Sequence, residues 1–110
     1  MVSPVEERCP FCAIVSGRRQ ADVLYQLGDF SVFRPLNRQA GKVLIVPHRH
    51  YEDVHAMPVA LRSEIMNVCS TVSVLLRATS YKIQISCGAS AQNVRHLYAQ
   101  FSYTSSDGDT

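Results

Sequence analysis

From position 96 to 103 the chain alternates strictly. Leu97, Ala99, Phe101 and Tyr103 are apolar or aromatic, and His96, Tyr98, Gln100 and Ser102 fall between them. Period two predicts a strand with one face on a core and the other aimed away from it. Positions 58–80 follow a different rhythm. Leu61, Ile65, Val68, Cys69, Val72, Leu75 and Leu76 recur at three- and four-residue steps, with Arg62, Ser63, Asn67, Ser70, Ser73 and Arg77 opposite. That spacing predicts one long helix. Pro58 suits its first turn, although Met57 offers no side-chain acceptor as a cap. Pro10 opens a short helix through Val15, with Gly17 as its terminator. Residues 23–25 and 30–33 predict two short strands around the turn Leu27-Gly28-Asp29. The apolar run 43–46, ended by Pro47, predicts a central strand. Ile83 and Ile85 alternate with Lys82 and Gln84 in a strand starting at Tyr81.

This order implies an antiparallel sheet with helices on one side, class α+β. A single domain is expected over 9–103, between a flexible N-terminal arm, 1–8, and a disordered tail, 104–110, rich in Ser, Thr, Asp and Gly. The length of 110 residues fits one domain, and 46% hydrophobic against 18% charged residues fits a globular one. A net charge of +2 is too small to imply a nucleic-acid surface. No apolar run is long enough for a transmembrane helix. The first eight residues are polar, with Glu6 and Glu7, and do not resemble a secretory signal, so a cytoplasmic or other intracellular location is expected.

In a reducing compartment, Cys9-x-x-Cys12 points to metal or redox chemistry rather than a disulfide. Zinc takes four N or S ligands, and this spacing lets both sulfurs reach one ion at about 2.3 Å. His48, His50, His55 and His96 are the candidates for the remaining places. Cys69 lies in the apolar helical stripe and reads as a small buried hydrophobe, and Cys87 carries no assigned role. His96, Tyr98 and Gln100 form a polar row at about 6.5–7 Å intervals. The row by itself fits a solvated edge face equally well.

The stretch Gln92-x-Val94-x-His96 resembles the signature strand of the histidine triad (HIT) superfamily, whose pattern is His-x-His-x-His. Supporting motifs are Cys9-Pro-Phe-Cys12, Ala21-Asp-Val-Leu-Tyr25, Gly41-Lys-Val-Leu-Ile-Val-Pro-His-Arg-His50 and residues 81–88, in family order from Cys9 to about Phe101. The resemblance implies a five-stranded antiparallel sheet and a homodimer. It also implies a ligand set: the C-x-x-C pair, the His three residues past the strand-ending Pro, and the first His of the triad. Carried over, these are Cys9, Cys12, His50 and His96 around a closed, structural zinc.

The triad itself departs from the family. Only His96 matches; Tyr98 stands at the nucleophile position, and Gln100 in the third place resembles the galactose-1-phosphate uridylyltransferase branch. In the family the middle imidazole attacks an α-phosphorus, which suits a ring with pKa near 6.5. A phenol, with pKa about 10, is almost wholly protonated at neutral pH. Activating Tyr98 would need a nearby cation, and Lys42 is the candidate. Lys42 in turn replaces a family His, Ser86 a family Asn, Ala91 a family Gly, and Pro35 a ribose-contacting acid. Gln92 survives, and Phe11, Ile14, Phe33 and Leu36 supply an apolar base pocket. The expected function is a zinc-stabilised, catalytically degenerate HIT-like protein, with weak nucleotide or phosphate binding at Lys42, Gln92, Tyr98 and Gln100. The alternatives are a nucleotidyl hydrolase or transferase using Tyr98, and a structural interaction module.

Overall fold

A computed structural model describes residues 8–37, 39–88, 90–92 and 94–105. Residues 1–7 of the expected arm and 106–110 of the expected tail lie outside these. The elements run α1 (Pro10–Val15), β1 (Val23–Leu27), β2 (Phe30–Phe33), β3 (Lys42–Pro47), a short 3₁₀ turn (Val54–Ala56), α2 (Val59–Leu75), β4 (Ala78–Ile85) and β5 (Ala99–Ser105). The strands form one antiparallel sheet in the order β1-β2-β3-β5-β4. The hairpin turns at Gly28, whose φ of 61° is open to glycine at little cost.

The helices lie on opposite faces of the sheet, not on one side. Val43 and Ile45 of β3 join Phe30, Val32, Ala99 and Phe101 against Ile65, Val68, Cys69 and Val72 of α2. Leu44 and Val46 alternate with them and join Phe33 against Cys9, Phe11, Cys12 and Ile14 on the other face. Strands β2 and β3 are therefore apolar at nearly every position, the pattern of a strand covered twice. Phe30, Phe33 and Phe101 expose no surface, and each contributes roughly 2–3 kcal/mol through burial.

Several boundaries differ from the sequence expectation, chiefly those of α2, β4 and β5. Helix α2 stops at Leu75 rather than Ser80, because Arg77 turns into the left-handed region at φ 55° and the chain enters β4 at Ala78. Neither glycine nor asparagine marks that stop. Strand β5 begins at Ala99, three residues after His96, and runs to Ser105, into the segment expected to be a tail. The β3–β5 ladder ends at Ile45↔Ala99. Continued, its register would set Leu97 opposite Pro47, which has no N–H to give. Leu97 instead donates its N–H to the Tyr51 carbonyl at 2.6 Å. The period-two alternation persists through this gap: Leu97 is fully buried on the α2 side, and Tyr98 packs on the α1 side.

Candidate metal centre and adjoining cleft

The start of α1 supplies two sulfurs. Cys9 is the N-cap, and its Sγ accepts from the Cys12 N–H at 3.4 Å, which turns both thiols to one side. The loop after β3 supplies His50, and the bend before β5 supplies His96. Ligand atoms of all four residues lie within 4.8 Å of one another. His96 Nδ1 is 3.4 Å from Cys9 Sγ and 3.4 Å from Cys12 Sγ, and His50 Nδ1 is 3.3 Å from Cys12 Sγ. Around a tetrahedral zinc, with Zn–S about 2.3 Å and Zn–N about 2.0–2.1 Å, an S···N edge is about 3.5–3.6 Å. The observed edges need to open by only about 0.2 Å.

The donor chemistry fits zinc as well. The His96 Nε2–H donates to the Pro47 carbonyl at 3.0 Å, and a carbonyl can only accept. That bond fixes the tautomer and presents the Nδ1 lone pair to two sulfurs at once. One lone pair cannot serve two thiol protons well, whereas a cation between the three atoms satisfies them all. His50 Nε2 is buried with no hydrogen-bond partner among the described residues. Cys9, Cys12 and His96 are almost wholly buried. His48 and His55, the other histidines weighed as ligands, are exposed and outside the cluster; His48 Nε2 pairs with Ser31 Oγ at 2.9 Å.

An open cleft of about 430 Å³ adjoins the centre on the α1 face of the sheet, lined among others by Phe11, Leu36, Lys42, Val94, Tyr98 and Gln100. Phe11 stands between cleft and metal cluster, with its ring edge-on to Tyr98 at 5.2 Å and to His96 at 5.9 Å. Lys42 donates to Gln39 Oε1 at 2.9 Å across the turn before β3. Of the expected binding residues, Phe11, Leu36, Lys42, Tyr98 and Gln100 thus come together. Ile14 and Phe33 lie in the packed layer beneath α1, at 4% and 0% exposure, and do not line the cleft. Gln92 is also buried and lines no part of it; its amide bonds to Glu52, Gly88, Val94 and Arg95. The sequence reading missed Gln39, Asn37 and Val94 as cleft residues and the Pro47 carbonyl as the partner of His96. Nothing in their spacing marks them, since the loop between β2 and β3 brings Asn37 and Gln39 there and the loop between β4 and β5 brings Val94.

A family description of the HIT domain matches residues 16–98. An uncharacterized HIT-like protein of Methanocaldococcus jannaschii is 37% identical over 95 residues, covering 82% of this chain and 74% of that protein. Among solved structures, a histidine triad protein from Clostridium difficile superposes with a TM-score of 0.80 at 24% identity, covering 94% and 93% of the two chains. A zinc-bound histidine triad family protein from Mycobacterium smegmatis gives 0.78 at 27% identity, covering 96% and 80%. The described residues contain no helix long and apolar enough to cross a membrane.

Proposed function

The chain belongs to the HIT family, and from that premise we propose a zinc-stabilised member that keeps a nucleotide- or phosphate-binding cleft without the family's covalent chemistry. The observation that carries this reading is the double commitment of His96. It is the one histidine of the row His96, Tyr98, Gln100, and both its ring nitrogens are engaged, Nδ1 toward the sulfurs and Nε2 on Pro47. An imidazole so held cannot attack phosphorus. Bound zinc would supply structural cross-linking; with four protein ligands it leaves no place for a water to be activated. Lys42 and Gln100 on adjacent strands and Tyr98 beside them offer a charge and hydrogen-bonding groups to a phosphate, and Phe11 and Leu36 an apolar wall to a base. A cleft beside Tyr98 and Gln100 weighs against a purely structural module. Exposed Tyr81 on edge strand β4 and exposed Val74 and Leu75 at the end of α2 support the homodimer that the family resemblance implies.

The test pairs binding with turnover. Adenosine monophosphate at tenfold over its Kd stabilises by about 1.4 kcal/mol, a Tm rise of roughly 6 °C for a domain of this size. The expected result is such a rise, lost in Lys42→Ala, with no turnover of an adenosine phosphoramidate or a dinucleoside polyphosphate. Turnover abolished by Tyr98→Phe would replace this reading with a tyrosine-based nucleotidyl hydrolase or transferase. No shift with either nucleotide or inorganic phosphate would leave the interaction module.

A further inference from the structure

We infer that Gln92 is the positioning residue of the metal centre, locking the loop that carries His50 to the loop that carries His96. The inference rests on the zinc reading above and adds the device that preforms the site.

A buried primary amide needs partners for two N–H groups and for a carbonyl with two lone pairs. Gln92, 7% exposed, has all four. Its Nε2 donates to the Glu52 carbonyl at 2.7 Å and to the Val94 carbonyl at 3.3 Å. Its Oε1 accepts from the Gly88 N–H at 3.0 Å and from Arg95 Nη1 at 2.9 Å. Glu52 stands two residues after His50, and Val94 two residues before His96. One side-chain nitrogen therefore ties together the backbones that carry the two imidazole ligands. Parallel ties reinforce it. Arg95 Nη2 pairs with Glu52 Oε1 at 3.1 Å, and Leu97 N–H reaches the Tyr51 carbonyl.

The physical role follows from this placement. The two imidazoles arrive on separate, irregular segments, which no helix or ladder holds in register. Were those segments free, ordering them would be charged against metal affinity; held in advance, they leave that affinity intact. The same bonds leave Gln92 no hydrogen-bonding capacity for a phosphate, and it lines no part of the cleft. A residue that merely fills space would not make four directed bonds, three of them to residues beside the two ligands.

The experiment measures zinc affinity by competition with a chromophoric chelator, the cobalt(II) absorption spectrum, and melting of zinc-loaded and zinc-free protein. It uses the full chain, wild type and Gln92→Leu. Loss of groups outside the ligand set typically weakens metal binding 10–100-fold, and Gln92→Leu is expected at about tenfold or more. The variant should also change the cobalt band envelope, and lose more stability loaded than zinc-free. Equal losses in both forms with unchanged affinity and spectrum would reduce Gln92 to a packing residue and overturn the inference. If Gln92→Leu does not fold, Arg95→Met, at an exposed position, removes the outer brace to Glu52 and one of the four bonds to the Gln92 amide while leaving the other three. It should weaken zinc binding about threefold, in the range of a surface ion pair, and wild-type affinity there would count against the clamp. Wild-type protein that takes up no zinc removes the metal reading itself, whereas wild-type uptake that Gln92→Leu leaves unchanged overturns the role of Gln92 alone.

Discussion

Replacing Cys12 with serine removes the sulfur that faces both imidazoles, at 3.3 Å from His50 Nδ1 and 3.4 Å from His96 Nδ1. The helix it sits on has six residues, too few to hold itself together in water. Helix α1 therefore depends on the Phe11, Cys12 and Ile14 contacts and, on the proposed zinc reading, on the ion that Cys9 and Cys12 would hold. With free zinc buffered at a hundred times the wild-type Kd, binding stabilises the fold by about 2.7 kcal/mol. Loss of a direct ligand should raise Kd by at least a hundredfold, the upper range for mere outer-shell losses. At the same free zinc the variant then keeps only about 0.4 kcal/mol of that stabilisation. At roughly 4 °C per kcal/mol for a domain of this length, Cys12→Ser should melt about 9–10 °C below wild type in zinc. In chelator the two should nearly coincide. The assay is a thermal melt in zinc buffer and in chelator, with metal content measured after dialysis and Cys87→Ser as the control, because Cys87 is exposed. A wild-type melt indifferent to chelator, together with zinc-free dialysed protein, would refute the convergence of these four ligands on an ion.

Thiol reactivity should fall into three classes. Under native zinc-loaded conditions a chromogenic disulfide should label exposed Cys87 alone; chelator should add Cys9 and Cys12, and denaturant should add Cys69. Burial pushes the Cys69 thiol from its ordinary 9.0 up to about 11. The folded state thus holds its proton more tightly than the unfolded chain, so this contribution is complete below about pH 9 and falls as pH rises toward 11, by roughly 2–3 kcal/mol. Denaturant titrations should show that decline in wild type and a shallower one in Cys69→Ala; parallel slopes would contradict it. Phe101, fully buried between α2 and the sheet and stacked on Tyr81 at 4.9 Å, should cost about 3–5 kcal/mol when replaced by alanine, read from the denaturation midpoint. Trypsin should cut after Arg18 or Arg19, both exposed just past α1, faster in chelator than in zinc, and equal rates would separate α1 from the metal.

Much of the fold was legible because its elements carry periodic patterns. The alternation from Leu97 to Tyr103 and the stripe from Leu61 to Val72 name their own buried faces. The short helix at Pro10 and the hairpin around Gly28 announce themselves through residues whose backbone preferences are narrow. The end of α2 was not legible, because Arg77 adopts a conformation that its side chain does not favour and only the entry into β4 explains. Nor was the side of the sheet on which α1 packs. An apolar run such as 43–46 says that a strand is covered, but not which element covers each face.

Residue types and their order offered on their own a Cys-x-x-Cys pair with four candidate histidines and, through the family resemblance, a phenol at Tyr98 where an imidazole is expected, because ligand and nucleophile chemistry belong to side chains. That His50 and His96, the pair the resemblance implied, face the sulfurs, and that Gln92 bonds to the loops beside them, were decided by tertiary structure. Those roles depend on a few ångströms between loops far apart in the chain, and local periodicity carries no information about such distances. The carbonyl of Pro47 shows the reason most simply. Any residue has one, and only the ladder's end beside a ring with a spare N–H makes this one orient His96.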